Sequence, residues 1–390
     1  MRDIPYYWRL SSFYFFYFAL HGTLVPYWAL YLQQRGFRAA EIGLLMALPQ
    51  LTKLVAPILW GWLADKTGRR LSIIRFGNFI AALIFCGVFY ADGFWRMALL
   101  LTGFSFFWNA VLAQFEAFTL DNLGESSSRY GQVRLWGSVG FIVTVCVVGL
   151  ALDVYPITIV PWAMLLSLWL IWLCTLVLPD QPVKIKHESK QGLWSLLKQP
   201  ASICFFLCSF LMLLSHGPYY TFFSIYLDEQ GFSRLATGGL WALGVFAEVL
   251  LFGVMHRLLH RFSLARLIQV SLLLAALRWL MIGTMVTNWP ILILAQCLHA
   301  ASFGSFHAAA IAWVHTHFGR AHAGQGQALY SSIGFGAGWA LGAVLSGIAW
   351  EAWGGATFLV AAAIAFIAFL ISWWGMAPTS LPAEHSQQTH

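Results

Sequence analysis

Twelve stretches of this 390-residue chain are long and continuously apolar. They cover about 8–32, 40–64, 71–90, 95–121, 132–152, 157–178, 201–227, 235–256, 264–285, 289–315, 326–350 and 355–375. A helix needs about 20 apolar residues to cross a bilayer, so each stretch is a candidate span. A membrane β-barrel would instead show segments of about ten residues alternating in polarity. Charged residues make up 9% of the chain. A soluble domain carries about 25%. Too little charge is present to cover a water-facing surface. The expected fold is all-α and integral to the membrane.

The chain also repeats itself. Residues 19–37, ALHGTLVPYWALYLQQRGF, return as 214–232, LSHGPYYTFFSIYLDEQGF, at an offset of 195, half the chain length. His21-Gly22 matches His216-Gly217, Tyr31-Leu32 matches Tyr226-Leu227, and Gly36-Phe37 matches Gly231-Phe232. Gly131-Gln132 matches Gly326-Gln327 at the same offset. This predicts twelve transmembrane helices in two pseudo-symmetric six-helix bundles, residues 1–178 and 201–390. The polar stretch 179–200 is the expected cytoplasmic linker, and a short polar tail follows from Pro378. In duplicated bundles of this kind, sites form where the halves meet, near the bilayer midplane. The pattern points to transport of a small molecule.

The net charge of +7 raises the question of a nucleic-acid partner. Its distribution argues against one. With both termini in the cytoplasm, most Lys and Arg fall on the N-terminus and the cytoplasmic loops, while Arg35, Arg38, Arg96 and Arg234 fall outside. That bias is the positive-inside rule. The basic charge reads as topology, with the bilayer as the partner. All six Cys lie within predicted spans and read as small apolar residues. No metal spacing accompanies the His residues, no GK[ST] loop is present for ATP, and no cofactor is expected. Neither a nucleophile elbow nor a zincin motif is found, so the chain does not read as an enzyme. No cleavable leader is expected.

The loop after the second span reads Gly61-Trp-Leu-Ala-Asp65-Lys66-Thr-Gly68-Arg69-Arg70. This is similar to the G-x-x-x-D-[RK]-x-G-R-[RK] signature of the major facilitator superfamily, at every specified position. The resemblance implies that superfamily's fold and makes these residues a candidate conformational gate. Asp65 can cap a helix N-terminus or pair with an Arg in one conformation only. The matching loop of the second half, His256-Arg257-Leu-Leu-His260-Arg261, keeps the charge and loses the motif.

Charge inside the spans marks the candidate site. A Lys, Arg or Asp at the centre of a span costs about 2.5–3.5 kcal/mol on insertion scales, so such residues tend to face a cavity or a partner. They are Lys53, Glu116, Asp121, Arg134, Glu248 and Arg278, joined by His21, His216, His299 and His307. Counting back around a turn near residue 126 sets Arg134 opposite residues 118–119, which leaves both Glu116 and Asp121 as possible partners. An Arg in such a pair can instead fork onto a substrate carboxylate or hydroxyls. Lys53 is the candidate counter-charge for an anionic substrate, or the group that holds Glu248 or Glu116 ionised. At the 195 offset Lys53 aligns with Glu248.

The stretch Tyr130-Gly-Gln-Val-Arg134-Leu-Trp-Gly137-Ser-Val-Gly140-Phe141, preceded by Glu116-Ala-Phe118, resembles the lactose-permease-like oligosaccharide:proton symporters. The resemblance implies that Glu116 and Arg134 bind substrate and that Phe141 stacks on it, with Trp136 as a further aromatic. Glu248, Arg278 and His299 fall in the helices that carry proton coupling and substrate contact in that family. The family's acidic residue three positions after the His is Ser302 here, so the proton-carrying role shifts to Glu248, with His299 as a second candidate. A carboxyl without a cation beside it in an apolar helix is most stable holding its proton.

The chain as a whole is similar to the phenylpropionate permease family. The pieces that carry this are YGQVRLWGSVGF (130–141), HGPYYTFFSIY (216–226), LWALGVFAEVLLF (240–252) and Arg278-Trp279. The resemblance implies proton-driven import of an aromatic carboxylate across a bacterial inner membrane, with Arg278 among the groups that attract the anion, by a protein that works as a monomer. An oligosaccharide or nucleoside:proton symporter is the alternative cargo reading. A membrane sensor or scaffold that keeps the fold without transporting is the alternative of another class.

Overall fold

The computed structural model describes residues 6–124, 129–179 and 193–376. The tail from Pro378 and most of the 179–200 connection lie outside the described residues. The chain forms α1 (Tyr7–Gln34), α2 (Ala39–Thr67), α3 (Arg70–Cys86), α4 (Phe94–Leu123), α5 (Tyr130–Leu152) and α6 (Ile159–Leu176). After a short α7 (Leu193–Leu197) come α8 (Pro200–Ser215), α9 (Gly217–Glu229), α10 (Arg234–Arg261) and α11 (Leu264–Met285). Four more follow: α12 (Trp289–His299), α13 (Ser305–Tyr330), α14 (Trp339–Trp353) and α15 (Thr357–Gly375). No strand occurs among the described residues.

Twelve spans result, because several are built from two helices. α8 and α9 form the seventh, broken at His216-Gly217-Pro218. Pro218 has no N–H to continue the ladder. A π turn, Ala300–Gly304, joins α12 to α13 in the tenth span, and a second, Ser331–Gly338, leads into α14 in the eleventh. The tenth and eleventh spans meet at Gly319, where φ of 65° and ψ of 175° break the helix inside α13.

Ten segments are apolar enough to cross a membrane by length and composition, and the 54-residue His322–Gly375 among them holds two spans. α1 is missing from those ten. Its buried Tyr7, Tyr14, Tyr17, Tyr27 and Tyr31 lower its hydropathy while facing protein rather than lipid. Large apolar side chains such as Trp62, Trp162, Ile203, Leu250 and Trp374 lie exposed around the outside, as lipid requires.

The duplication is exact in register at two helix starts. α2 begins at 39 and α10 at 234, and α4 begins at 94 and α12 at 289, each pair 195 apart. α1 packs on α5 and α6, α2 on α4, and α3 on α4 and α6. In the second bundle α15 packs on α8 and α11, α9 on α14, and α12 and α13 on α11. The bundles meet through α2 with α14, α5 with α10, and α1 with α9.

The repeated His-Gly pair has the same structural job in both copies. His21 Nδ1 lies 3.2 Å from the Tyr17 carbonyl and His216 Nδ1 2.8 Å from that of Met212, each four residues back. A carbonyl only accepts, so Nδ1 carries the proton in both rings. The following glycine admits a neighbouring helix. A Cβ on Gly22 would sit 2.8 Å from the Phe141 carbonyl oxygen, and one on Gly217 would strike the backbone of Gly342. Gly22→Val should therefore cost about 1–3 kcal/mol through overpacking, read as a lower melting temperature in detergent. Gly239→Ala, with nothing within 4 Å of the added carbon, should not lower it. Equal melting of the two variants would remove the close crossing as a stabilising contact.

Candidate functional site

Two polar clusters, one per bundle, face the interior between the bundles. In the first, Arg134 on α5 lies with its guanidinium carbon 3.9 Å above the Phe18 ring and 5.6 Å from that of Tyr14, both on α1. Gly137, one turn on, makes room for this. A Cβ there would be 2.6 Å from Arg134 Nη1 and 2.7 Å from the Phe18 ring. Arg134 Nε is 3.9 Å from Glu116 Oε1, a long ion pair, and the side chains stay 31% and 38% exposed. The alternative partner, Asp121, is taken. It accepts from Arg70 Nη1 at 2.8 Å. Arg134 thus keeps Nη groups that enter no hydrogen bond among the described residues and are available to a ligand.

The second cluster is a chain of contacts across three helices. Glu248 Oε2 on α10 lies 3.7 Å from His299 Nε2 on α12, and His299 Nδ1 lies 3.0 Å from Arg278 Nη1 on α11. A guanidinium can only donate, so Nδ1 accepts and the ring proton is on Nε2, directed at Glu248. Arg278 Nε donates to the Ala295 carbonyl at 2.9 Å, and Nη2 is 3.5 Å from Gln296 Oε1. The same Gln296 oxygen accepts from the Tyr219 hydroxyl at 2.9 Å. The guanidinium lies 4.1 Å from the Tyr219 ring and 4.5 Å from that of Trp279. Arg278 is fully buried, and no carboxylate pairs with it among the described residues.

Aromatic rings fill the space between the clusters. His299, Phe303 and His307, four residues apart along the π-bulged tenth span, stack at 5.2 and 6.4 Å. His307 Nδ1 reaches the Tyr330 hydroxyl at 3.1 Å. Lys53 on α2 lies with Nζ 5.2 Å from the Trp339 ring, which packs on Tyr220 at 4.2 Å. Lys53 has no ion pair among the described residues.

The structure places the sequence candidates unequally. Glu116, Arg134, Lys53 and Glu248 keep some exposure. Arg278 does not open to the interior, and here it fixes the His299 ring instead. Phe141 is 8% exposed, and the ring over Arg134 is Phe18. Trp136 also departs from expectation. Its indole donates to the Tyr7 hydroxyl at 2.9 Å and packs on the exposed Trp8. Two residues along a helix is about 200°, so Trp136 and Arg134 share no face. Phe18, Tyr219 and Gln296 escaped the sequence reading. Phe18 and Gln296 lie three residues before His21 and His299, Tyr219 lies three after His216, and that one-turn spacing was the available signal.

In the 61–70 loop, Gly68 ends α2 with φ of 66°, its N–H bonded to the Ala64 carbonyl. Arg70 bridges Asp121 at 2.8 Å and Asp65 at 3.4 Å, tying α2 to α4 within one bundle. Lys66 lies over Trp62 at 4.8 Å. Gly61 packs toward Gln114, and Arg69 is the residue before α3. No group of three or more His, Cys, Asp or Glu among the described residues could hold a metal.

Two six-helix bundles with Lys53, Glu116, Arg134, Glu248 and Arg278 set within their spans fit a membrane transporter of the major facilitator type. The chain belongs to the MFS_1 like family, whose model matches residues 7–361. It is 28% identical over 369 residues to an Escherichia coli (strain K12) protein named "Probable 3-phenylpropionic acid transporter", covering 93% of this chain and 96% of that one. It is 29% identical over 275 residues to the maltose permease of Geobacillus stearothermophilus, covering 69% and 68%. The crystal structure of the nucleoside transporter NupG (D323A mutant) superposes with a TM-score of 0.86 at 18% identity, over 96% of this chain and all of that one.

Arg278→Lys, which loses the planar fork to three acceptors, should lower stability by about 2–3 kcal/mol. Phe18→Leu, which removes a part-exposed cation–π contact, should lose about 0.5–1 kcal/mol. Thermal melting of both variants checks the order, and a larger loss for Phe18→Leu would overturn the view of Arg278 as the buried anchor.

Proposed function

We propose that this transporter imports a small aromatic carboxylate together with a proton. The observation that carries the reading is Arg134: a part-exposed guanidinium, backed by the Phe18 ring, with Nη donors that enter no hydrogen bond among the described residues. A carboxylate suits that fork, and Lys53 supplies a second cation. Phe18, Trp339 and Tyr220 can flank the ring, with Phe141 reaching it only if α5 shifts. Glu116 balances Arg134 when no substrate is bound. The relative of strain K12 supports this cargo by its name, at 28% identity.

Glu248 is the proton carrier in this scheme. His299 directs its Nε2–H at Glu248, while the Arg278 bond occupies Nδ1. A second proton on His299 would have to break that bond, so Glu248 is the simpler acceptor. Protonation weakens its tie to His299, which biases the bundles, residues 1–178 and 201–390, to rock about the site. Both termini lie in the cytoplasm of a bacterial cell, the protein sits in the inner membrane as a monomer, and the 61–70 loop gates the cytoplasmic side.

Labelled 3-phenylpropionate should accumulate in vesicles only under an inward proton gradient. Glu248→Gln should abolish accumulation while sparing exchange down a gradient, and full accumulation by that variant would remove Glu248 from coupling. Arg134→Lys should raise the KM about tenfold, equivalent to about 1.4 kcal/mol. Unchanged affinity would reject a direct contact. A sugar or nucleoside symporter is the second reading, favoured by the exposed Glu116 carboxylate beside Arg134 and by the maltose permease relative. Competition by neutral sugars or nucleosides, with none by aromatic acids, would select it.

A further inference from the structure

Hydrogen bonds between the two bundles gather at the end away from the termini, and they follow one pattern twice. Asp153, the residue after α5, accepts from two backbone amides of α10: Arg234 N at 2.8 Å and Leu235 N at 3.2 Å. Glu351, near the end of α14, accepts from the Ala40 amide of α2 at 3.2 Å. α2 and α10 start 195 residues apart, at equivalent places in the two bundles. In both cases a carboxylate at the end of the fifth helix of one bundle caps the second helix of the other. The first N–H groups of a helix have no partner within it and carry its positive dipole end. An ionised carboxylate makes a charge-assisted bond to them.

The backbones beneath each cap are in close contact. Tyr27 donates to the Val145 carbonyl at 2.7 Å and lies 3.5 Å from the Arg234 carbonyl. A Cβ on Gly149 would be 2.7 Å from the Arg234 oxygen. On the other side, a Cβ on Gly347 would be 2.6 Å from the Ala39 oxygen. Each carboxylate therefore sits at the mouth of a tight crossing that must part for this end of the molecule to open. Parting α5 from α10 and α14 from α2 strips both caps at once.

We infer that Asp153 and Glu351 are paired latches that hold this outer end closed, each by capping a helix of the opposite bundle. They are the counterpart of the 61–70 loop at the other end, and neither belongs to the substrate site. Losing one latch should shift the open-to-closed ratio at this end about tenfold. Losing both should shift it about a hundredfold if the two act independently. The latches rest on the alternating-access part of the proposed function and not on its cargo.

The test is pulsed electron paramagnetic resonance on the full chain in lipid. All six native Cys are replaced, and spin labels are placed at Tyr90→Cys and Met285→Cys, at the outer ends of the third and ninth spans. Asp153→Ala and Glu351→Ala should each enlarge the long-distance population, and the double variant more than either. Asp153→Asn, which keeps an acceptor and loses the charge, should fall between. Asp92→Asn, whose carboxylate pairs at 3.4 Å with Arg35 of its own bundle, should not move the distribution. Unchanged distances in a folded double variant would overturn the latches, as would an equal shift from Asp92→Asn. A shift of the expected kind without uptake of any aromatic acid would leave the latches standing and refute the cargo.

Discussion

Charge cannot be left facing hydrocarbon, and that constraint organises the molecule. The ionisable groups deep in the spans, Lys53, Glu116, Arg134, Glu248 and Arg278, each have a partner or a ring. Arg278 is the extreme case. Its donors go to a carbonyl, a His and a Gln, and its faces to Tyr219 and Trp279. Without a carboxylate at hand, its nearest compensation is Glu248 through the intervening imidazole. That arrangement sets the His299 tautomer, and the tautomer aims a proton at the Glu248 carboxyl. Stability and the proposed coupling chemistry therefore depend on one set of contacts.

The two bundles began from one unit and have diverged in a way that divides the labour. Two helix starts keep the 195 spacing, and the His-Gly pairs keep the same bond and a close crossing. The interior charges do not. Lys53 and Glu248 occupy matching positions with opposite sign. The first bundle holds its part-exposed cations on ring faces, Arg134 on Phe18 and Lys53 near Trp339 of the other bundle. The second buries its cation and exposes part of a carboxyl. In the proposed scheme, anion recognition and proton handling therefore fall on opposite sides of one interior.

Much of this was legible residue by residue. Span lengths, the duplication and the 61–70 loop follow from local pattern, since a bilayer crossing and a tight turn each leave a signature in neighbouring residues. The Glu116–Arg134 contact was half legible. Hairpin counting allowed Asp121 as well, and only the packing of α3 against α4 gave Asp121 to Arg70. Phe141 was expected beside the substrate from the family resemblance, and Trp136 as a further aromatic. Trp136, two residues after Arg134, is about 200° away and shares no face with it. Phe141, seven residues on, returns to the Arg134 side of α5, but the close crossing at Gly22 of α1 buries it.

By itself the sequence determined what solvent this protein lives in, how many times it crosses that solvent, and that it does so as two copies of one plan. Those are properties of composition and period, which act over a few turns of helix. The tertiary structure alone decided that Phe18 backs Arg134, that Arg278 withdraws behind His299, and that Asp153 and Glu351 reach into the opposite bundle. Each of those contacts joins helices far apart in the chain. Their partners are chosen by crossing angles and by where a glycine lets two backbones meet, and neither is written in the spacing of residues along one strand of sequence.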